Sequence, residues 1–91
     1  MDAKQAETIA LQGLAFLAKH EELLSQFVTQ SGLSISELKK RAQDPELLGG
    51  VLDLILEDDK ILLDFCNGAS LSPETLMKAR AALPGGMHIS V

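Results

Sequence analysis

The stretch Asp44-Pro45-Glu46-Leu47-Leu48-Gly49-Gly50-Val51-Leu52-Asp53-Leu54-Ile55-Leu56-Glu57 decides the fold. Asp44 is a strong N-cap residue, and Pro45 has no amide to leave unbonded at the first helical position. The apolar residues from Leu47 to Leu56 then surround the helix on nearly all sides. A helix that is apolar all round is the buried centre of its domain. Gly49-Gly50 either weakens it locally or lets another helix approach closely. Such a centre must be wrapped by other helices, so the rest of the chain should supply them.

Working outward, five more short helices can be read. Ala3 to Ala18 carries an apolar stripe of Ile9, Leu14 and Leu17, with Ala10 and Gly13 beside it. The polar break Lys19-His20-Glu21-Glu22 marks a bend into a second helix, Glu21 to Gln30, whose apolar face is Leu23, Leu24, Phe27 and Val28. Gly32 sits where a left-handed cap is wanted. Ser34-Ile35-Ser36-Glu37 is a capping box that opens a third helix running to Arg41. Past the central helix, Asp58 caps a fifth, which carries Ile61, Leu62, Phe65 and Cys66 and is expected to end at Asn67-Gly68. Ser72-Pro73-Glu74 opens the sixth, and Pro84-Gly85-Gly86 should stop it.

The chain also resembles itself. A shift of 38 residues lays Leu14 on Leu52, Leu24 on Leu62, Phe27 on Phe65, Leu33 on Leu71, Ser34 on Ser72, Leu38 on Leu76 and Lys40 on Lys78. This pattern predicts a degenerate two-fold duplication of a three-helix unit, with halves at about 7–44 and 45–84. Two copies are too few for an open solenoid. The expected fold class is all-α, a compact bundle of five to six short helices forming one domain over 1–86, with 87–91 as a flexible tail.

Composition narrows the function classes. The chain has 91 residues, 46% of them apolar, with seventeen leucines but no Trp or Tyr, which argues against an all-β fold. Its formal charge of −5 opposes phosphate backbones and anionic lipids. No apolar stretch is long enough to span a bilayer, and no signal-peptide pattern opens the chain, so no membrane partner and a cytoplasmic location are expected. The single cysteine, Cys66, cannot form an internal disulfide and fits a reducing compartment.

No catalytic constellation emerges. Asp53, Glu57, Asp58, Asp59 and Asp64 are acidic neighbours, but their spacing matches no calcium loop, and a solvated face explains them. His20 and His88 are isolated from each other and from Cys66, so no zinc set forms, and Cys66 reads as a buried, inert thiol. No cofactor, metal or enzymatic activity is therefore expected. Gln26 to Arg41 looks like a helix-turn-helix in which Lys39, Lys40 and Arg41 would touch phosphates. Those same residues also serve simply to offset a helix dipole, and the net charge opposes the nucleic-acid reading.

Several features together resemble a known group: Leu14-Ala15-Phe16-Leu17-Ala18 with its acidic break, Phe27 with Ser31-Gly32-Leu33, Asp44-Pro45, Val51-Leu52-Asp53, Asp58-Asp59, and Ala79-Arg80-Ala81-Ala82-Leu83-Pro84-Gly85-Gly86. The chain resembles a family of short all-helical alphaproteobacterial proteins classed as a domain of unknown function. The resemblance implies a small bacterial cytoplasmic helical domain and supplies no catalytic residues. From the residues themselves, the best functional expectation is a non-catalytic protein-interaction or regulatory module whose partner is another protein or a second copy. A bundle this small cannot bury every leucine, isoleucine and valine, so some apolar area should face outward. Leu56 and Leu63 fall off the main stripes and are the expected interaction surface.

Overall fold

The computed structural model describes residues 1–83 and contains α1 (Ala3–Lys19), α2 (Glu21–Ser31), α3 (Ile35–Lys40), α4 (Pro45–Glu57), α5 (Asp59–Ala69) and α6 (Pro73–Ala81). Five of the six described helices begin where a side chain accepts a free amide, and only α2, entered at His20, has no such cap. Asp2 caps α1 through the Gln5 amide at 2.8 Å, and Asp58 caps α5 through the Lys60 amide at 2.8 Å. Ser34 closes a full capping box with Glu37. Asp44 and Ser72 cap α4 and α6, each followed by proline in the first turn. The expected stop at Pro84-Gly85-Gly86 and the tail at 87–91 lie outside the described residues.

One helix end differs from expectation. α5 does not end at Asn67-Gly68 but continues to Ala69, and Ser70 takes the left-handed turn with φ 57°. The Leu71 amide returns to the Cys66 carbonyl at 2.9 Å, a six-to-one closure that needs a left-handed residue at position 70 rather than 68. Leu71 is thereby placed against the core.

Four of the six helix boundaries of the two trios match at an offset of 38 residues; the starts of α1 and α4 and the ends of α3 and α6 do not. α2 and α5 begin at 21 and 59 and end at 31 and 69. The residues that bend α1 into α2 and α4 into α5, His20 and Asp58, are both extended. Gly32 and Ser70 are both left-handed. Leu17 and Ile55, Phe27 and Phe65, and Leu38 and Leu76 are buried in both positions.

α1 and α4 form the central pair. α4 buries Leu47, Leu48, Gly49, Val51, Leu52, Leu54 and Ile55, as its all-round apolar pattern requires. Leu56 is half-buried and packs against the same core. α6 packs on α1, α4 and α5, whereas the short α3 is anchored chiefly by buried Leu38. The radius of gyration, 12.0 Å, matches the roughly 12 Å of a compact globule of this length, so the bundle is closed.

A close approach sits at Gly13 rather than at Gly50. A Cβ on Gly13 would lie 3.0 Å from Ile55 Cδ1 and 3.1 Å from Val51 Cγ1. At Gly50 the nearest atom would be in the Phe27 ring at 3.5 Å, an ordinary contact. Replacing a mid-helix glycine by alanine gains about 1 kcal/mol of helix propensity, while overpacking a core costs about 1–3 kcal/mol. Gly50→Ala should therefore raise the melting temperature by about 4–8 °C. Gly13→Ala should gain nothing, and Gly13→Val should lower stability by about 2 kcal/mol or more. Thermal and urea unfolding followed by circular dichroism checks the opposite signs.

Candidate functional site

Three clefts between helices concern function. One lies between α1 and α5, encloses about 470 Å³ and is lined by Gln12, Ala15, Phe16, Lys19, Phe65, Gly68 and Ala69. A second lies between α4 and α2, encloses about 410 Å³ and includes Phe27, Gln30, Ser31, Gly50, Asp53 and Glu57, with Arg41 and Glu46 at its edge. These two occupy corresponding places. Gln12 answers to Gly50, Ala15 to Asp53, Lys19 to Glu57, Phe65 to Phe27, Gly68 to Gln30 and Ala69 to Ser31, each at an offset of 38. The frame is shared and the chemistry is not, since a lysine in one cleft faces the place of a glutamate in the other.

The third cleft is the most apolar. It encloses about 380 Å³ across α1, α2 and α3, between Leu11, Leu14, Ala15 and Ala18 on α1, Leu24 on α2, and Ile35, Leu38 and Lys39 on α3, with Ala42 beyond. Ile35 is 51% exposed and Leu11 39%. A further cleft continues from it past Ala18, Leu24 and Ile35 towards Glu21, Ser25 and Thr29. The first of these is mostly apolar with Lys39 in its lining, and the second is of mixed polarity with Glu21 in its lining. Lys39 makes no ion pair among the described residues.

The positions 38 residues further on carry a polar contact where this groove has alanines. Ala15 corresponds to Asp53 and Ala42 to Arg80. Arg80, 9% exposed, holds Asp53 through both carboxylate oxygens, from Nε to Oδ1 and from Nη2 to Oδ2 at 3.0 Å. Its Nη1 also donates to the Leu83 carbonyl at 3.3 Å. The forked ion pair ties α6 to α4. Two alanines in the first trio provide no such tie, and a hollow remains between α1 and α3.

The residues expected to matter distribute as follows. Leu63 is 53% exposed on α5. Leu56 is not equally outward, because α4 is surrounded and its last turn still meets the core. Lys39 and Lys40 are exposed in the last turn of α3, and Arg41 is held by Asp44, Nη2 to Oδ2 at 2.9 Å. α3 has only six residues, and its first turn contains Glu37, whose carboxylate accepts from the Ser34 amide at 3.0 Å. Leu11 and Ile35 went unremarked in the sequence. Their signal lay in the repeat, where each faces a residue of another kind, Gly49 and Pro73.

The remaining polar groups among the described residues are placed as follows. Cys66 is buried, and that burial pushes its thiol pKa up, away from a reactive thiolate. His20 places Nδ1 2.8 Å from the Phe16 carbonyl, which can only accept, so Nδ1 carries the proton. Its ring stacks tilted on Phe16 with centroids 4.5 Å apart. Among the described residues no group of three His, Cys, Asp or Glu side chains could hold a metal ion. His88 lies outside them. No helix among the described residues is long and apolar enough to cross a membrane.

The fold and clefts define a small all-helical domain with an open apolar groove. The chain belongs to the family described as protein of unknown function (DUF3572), which it matches over residues 3–86. No curated protein and no solved structure matches it.

Two predictions follow from the polar contacts. Removing Asp53 leaves the Arg80 guanidinium largely buried without its carboxylate, whereas removing both partners does not. Asp53→Ala should cost about 2 kcal/mol, less than a fully buried pair because Asp53 is partly exposed, and Asp53→Ala/Arg80→Met should recover much of it. A double-mutant cycle in urea measures the difference. In the second case, Ser34 holds the Glu37 pKa below its ordinary value through its backbone and side-chain hydrogen bonds. Arg41, followed by the Glu46 amide, does the same for Asp44. A carboxylate with a lowered folded pKa contributes stability above its unfolded pKa and loses it as pH falls through the folded value. Glu37→Gln/Asp44→Asn should therefore be less stable than wild type at pH 7, with the gap closing below about pH 4. Melts across that range test the sign.

Proposed function

We propose that this chain is a small non-catalytic protein-interaction module of the bacterial cytoplasm, and that the α1–α2–α3 groove is its binding surface. The single observation that carries this reading is a cleft lined almost wholly by apolar groups, with Leu11 and Ile35 exposed on it. Aliphatic residues with small alanines between them let a helix or short segment approach closely, the arrangement of helix-in-groove recognition. The solitary buried thiol supports a reducing compartment. The shared helix boundaries support reading the two trios as diverged copies of one unit, of which the second has closed its groove and the first has kept it open.

The groove replaces Leu56 in the expected surface. Leu56→Glu would damage the core, while Leu11→Glu and Ile35→Glu alter only exposed side chains, which usually changes stability by about 0.5 kcal/mol or less. Affinity capture from the native lysate should recover a stoichiometric protein with wild-type chain and lose it with Leu11→Glu/Ile35→Glu at an unchanged melting temperature. Retention of the same proteins by that variant would overturn the assignment of the groove.

A further inference from the structure

We infer that the cleft between α1 and α5 is a binding site for a small planar aromatic carboxylate. This goes beyond the α1–α2–α3 groove and does not depend on it. The cleft lies between the two trios and encloses about 470 Å³, within the roughly 300–1,000 Å³ of small-molecule sites. One wall is a single face of α1, where Gln12, Phe16 and Lys19 recur at helical spacing. The other is a face of α5 that brings Phe65 and Gly68 to the same cleft.

Gly68 is the wall residue that the fold itself does not require. The left-handed turn at the end of α5 falls on Ser70, so Gly68 keeps helical backbone and has no turn to make. A Cβ built on it would meet no neighbouring atom within 4 Å, so no packed helix needs the room either. Glycine weakens a helix relative to alanine, and its use is to let another group come close to the backbone. Here that group would be a flat ring lying along α5. The aromatic side of the cleft suits a ring as well. Phe16 is half-buried and meets Phe65 edge-on, with centroids 5.5 Å apart. His20 stacks on Phe16 from its own helix end at 4.5 Å and holds that ring in place.

The charge of the ligand follows from Lys19. It is exposed, lines the cleft and makes no ion pair among the described residues. No carboxylate side chain lines this cleft among the described residues, and Gln12 adds an amide that can donate or accept. The corresponding cleft between α4 and α2 has Glu57 in the place of Lys19, with Glu46 and Asp53 besides. The α1–α5 cleft therefore favours an anion, and its counterpart opposes one. A ring against Phe16 and Gly68 with its carboxylate toward Lys19 uses every part of the site.

Amide NMR of the isotope-labelled full chain tests this, with titrations of naphthoate and, separately, of naphthylmethylammonium, a cation of similar shape. Naphthoate should shift the amides of Gln12, Phe16, Lys19 and Gly68 and bind about tenfold or more tighter than the cation. Lys19→Glu should abolish that preference. Gly68→Leu should abolish naphthoate binding yet melt no lower than wild type, because its Cβ meets no neighbour and leucine is the better helix former. Leu11→Glu/Ile35→Glu should bind naphthoate as wild type does, so that failure of this site and failure of the groove are read separately. Absence of shifts in the cleft up to about 10 mM naphthoate would overturn the proposal. Equal affinity for the two ions would do the same, as would unaltered binding by Gly68→Leu.

Discussion

Everything in this bundle is arranged around the crossing of α1 and α4, and that crossing depends on one missing side chain. Gly13 lets the two helices approach until Val51 and Ile55 fill the space where its Cβ would stand. The corresponding residue on α4 is Val51 itself, so the two central helices are complementary rather than alike. One provides a hollow and the other a branched side chain. Once this contact is set, Leu17, Leu52 and Ile55 are fully buried, and α2, α5 and α6 pack around them. Interiors are packed as densely as organic crystals, so little adjustment is available at such a place.

The same frame carries different chemistry on its two sides. The cleft between α1 and α5 and the cleft between α4 and α2 have corresponding walls, yet one presents Lys19 and the other Glu57. The clearest divergence is at Ala15 and Ala42 against Asp53 and Arg80. A forked, mostly buried ion pair holds α6 down, while two alanines leave α3 standing off α1 with an apolar hollow beneath. A buried ion pair is a poor source of net stability, because desolvation offsets much of its attraction. Its importance here is geometric, since it joins α6 to α4.

The open groove gives the family's unknown function a physical starting point. The cleft across α1, α2 and α3 is lined mostly by aliphatic side chains, and the functional proposal concerns what fits it.

The helices and most of their starts were legible in the sequence because capping is local, whereas the end of α5 was not, since Ser70 rather than Gly68 takes the left-handed turn. Ser34 reaches Glu37, Asp44 reaches Glu46 and Asp58 reaches Lys60, contacts two or three residues apart that the spacing alone specifies. The surrounded pattern of Leu47 to Leu56 likewise declared α4 the centre, since it has no polar face to turn outward. What lay beyond the sequence were contacts between distant residues. Arg80 and Asp53 stand 27 positions apart. Whether Leu56 or Ile35 meets solvent depends on which neighbours cross above it. Gly13 and Gly50 look equivalent as letters, yet a side chain would be crowded at 3.0 Å at the first and in ordinary contact at 3.5 Å at the second. Caps and periodicity are set by the backbone within a turn or two. Exposure, close approach and the open groove are set by how the helices cross, and only the tertiary structure decides that.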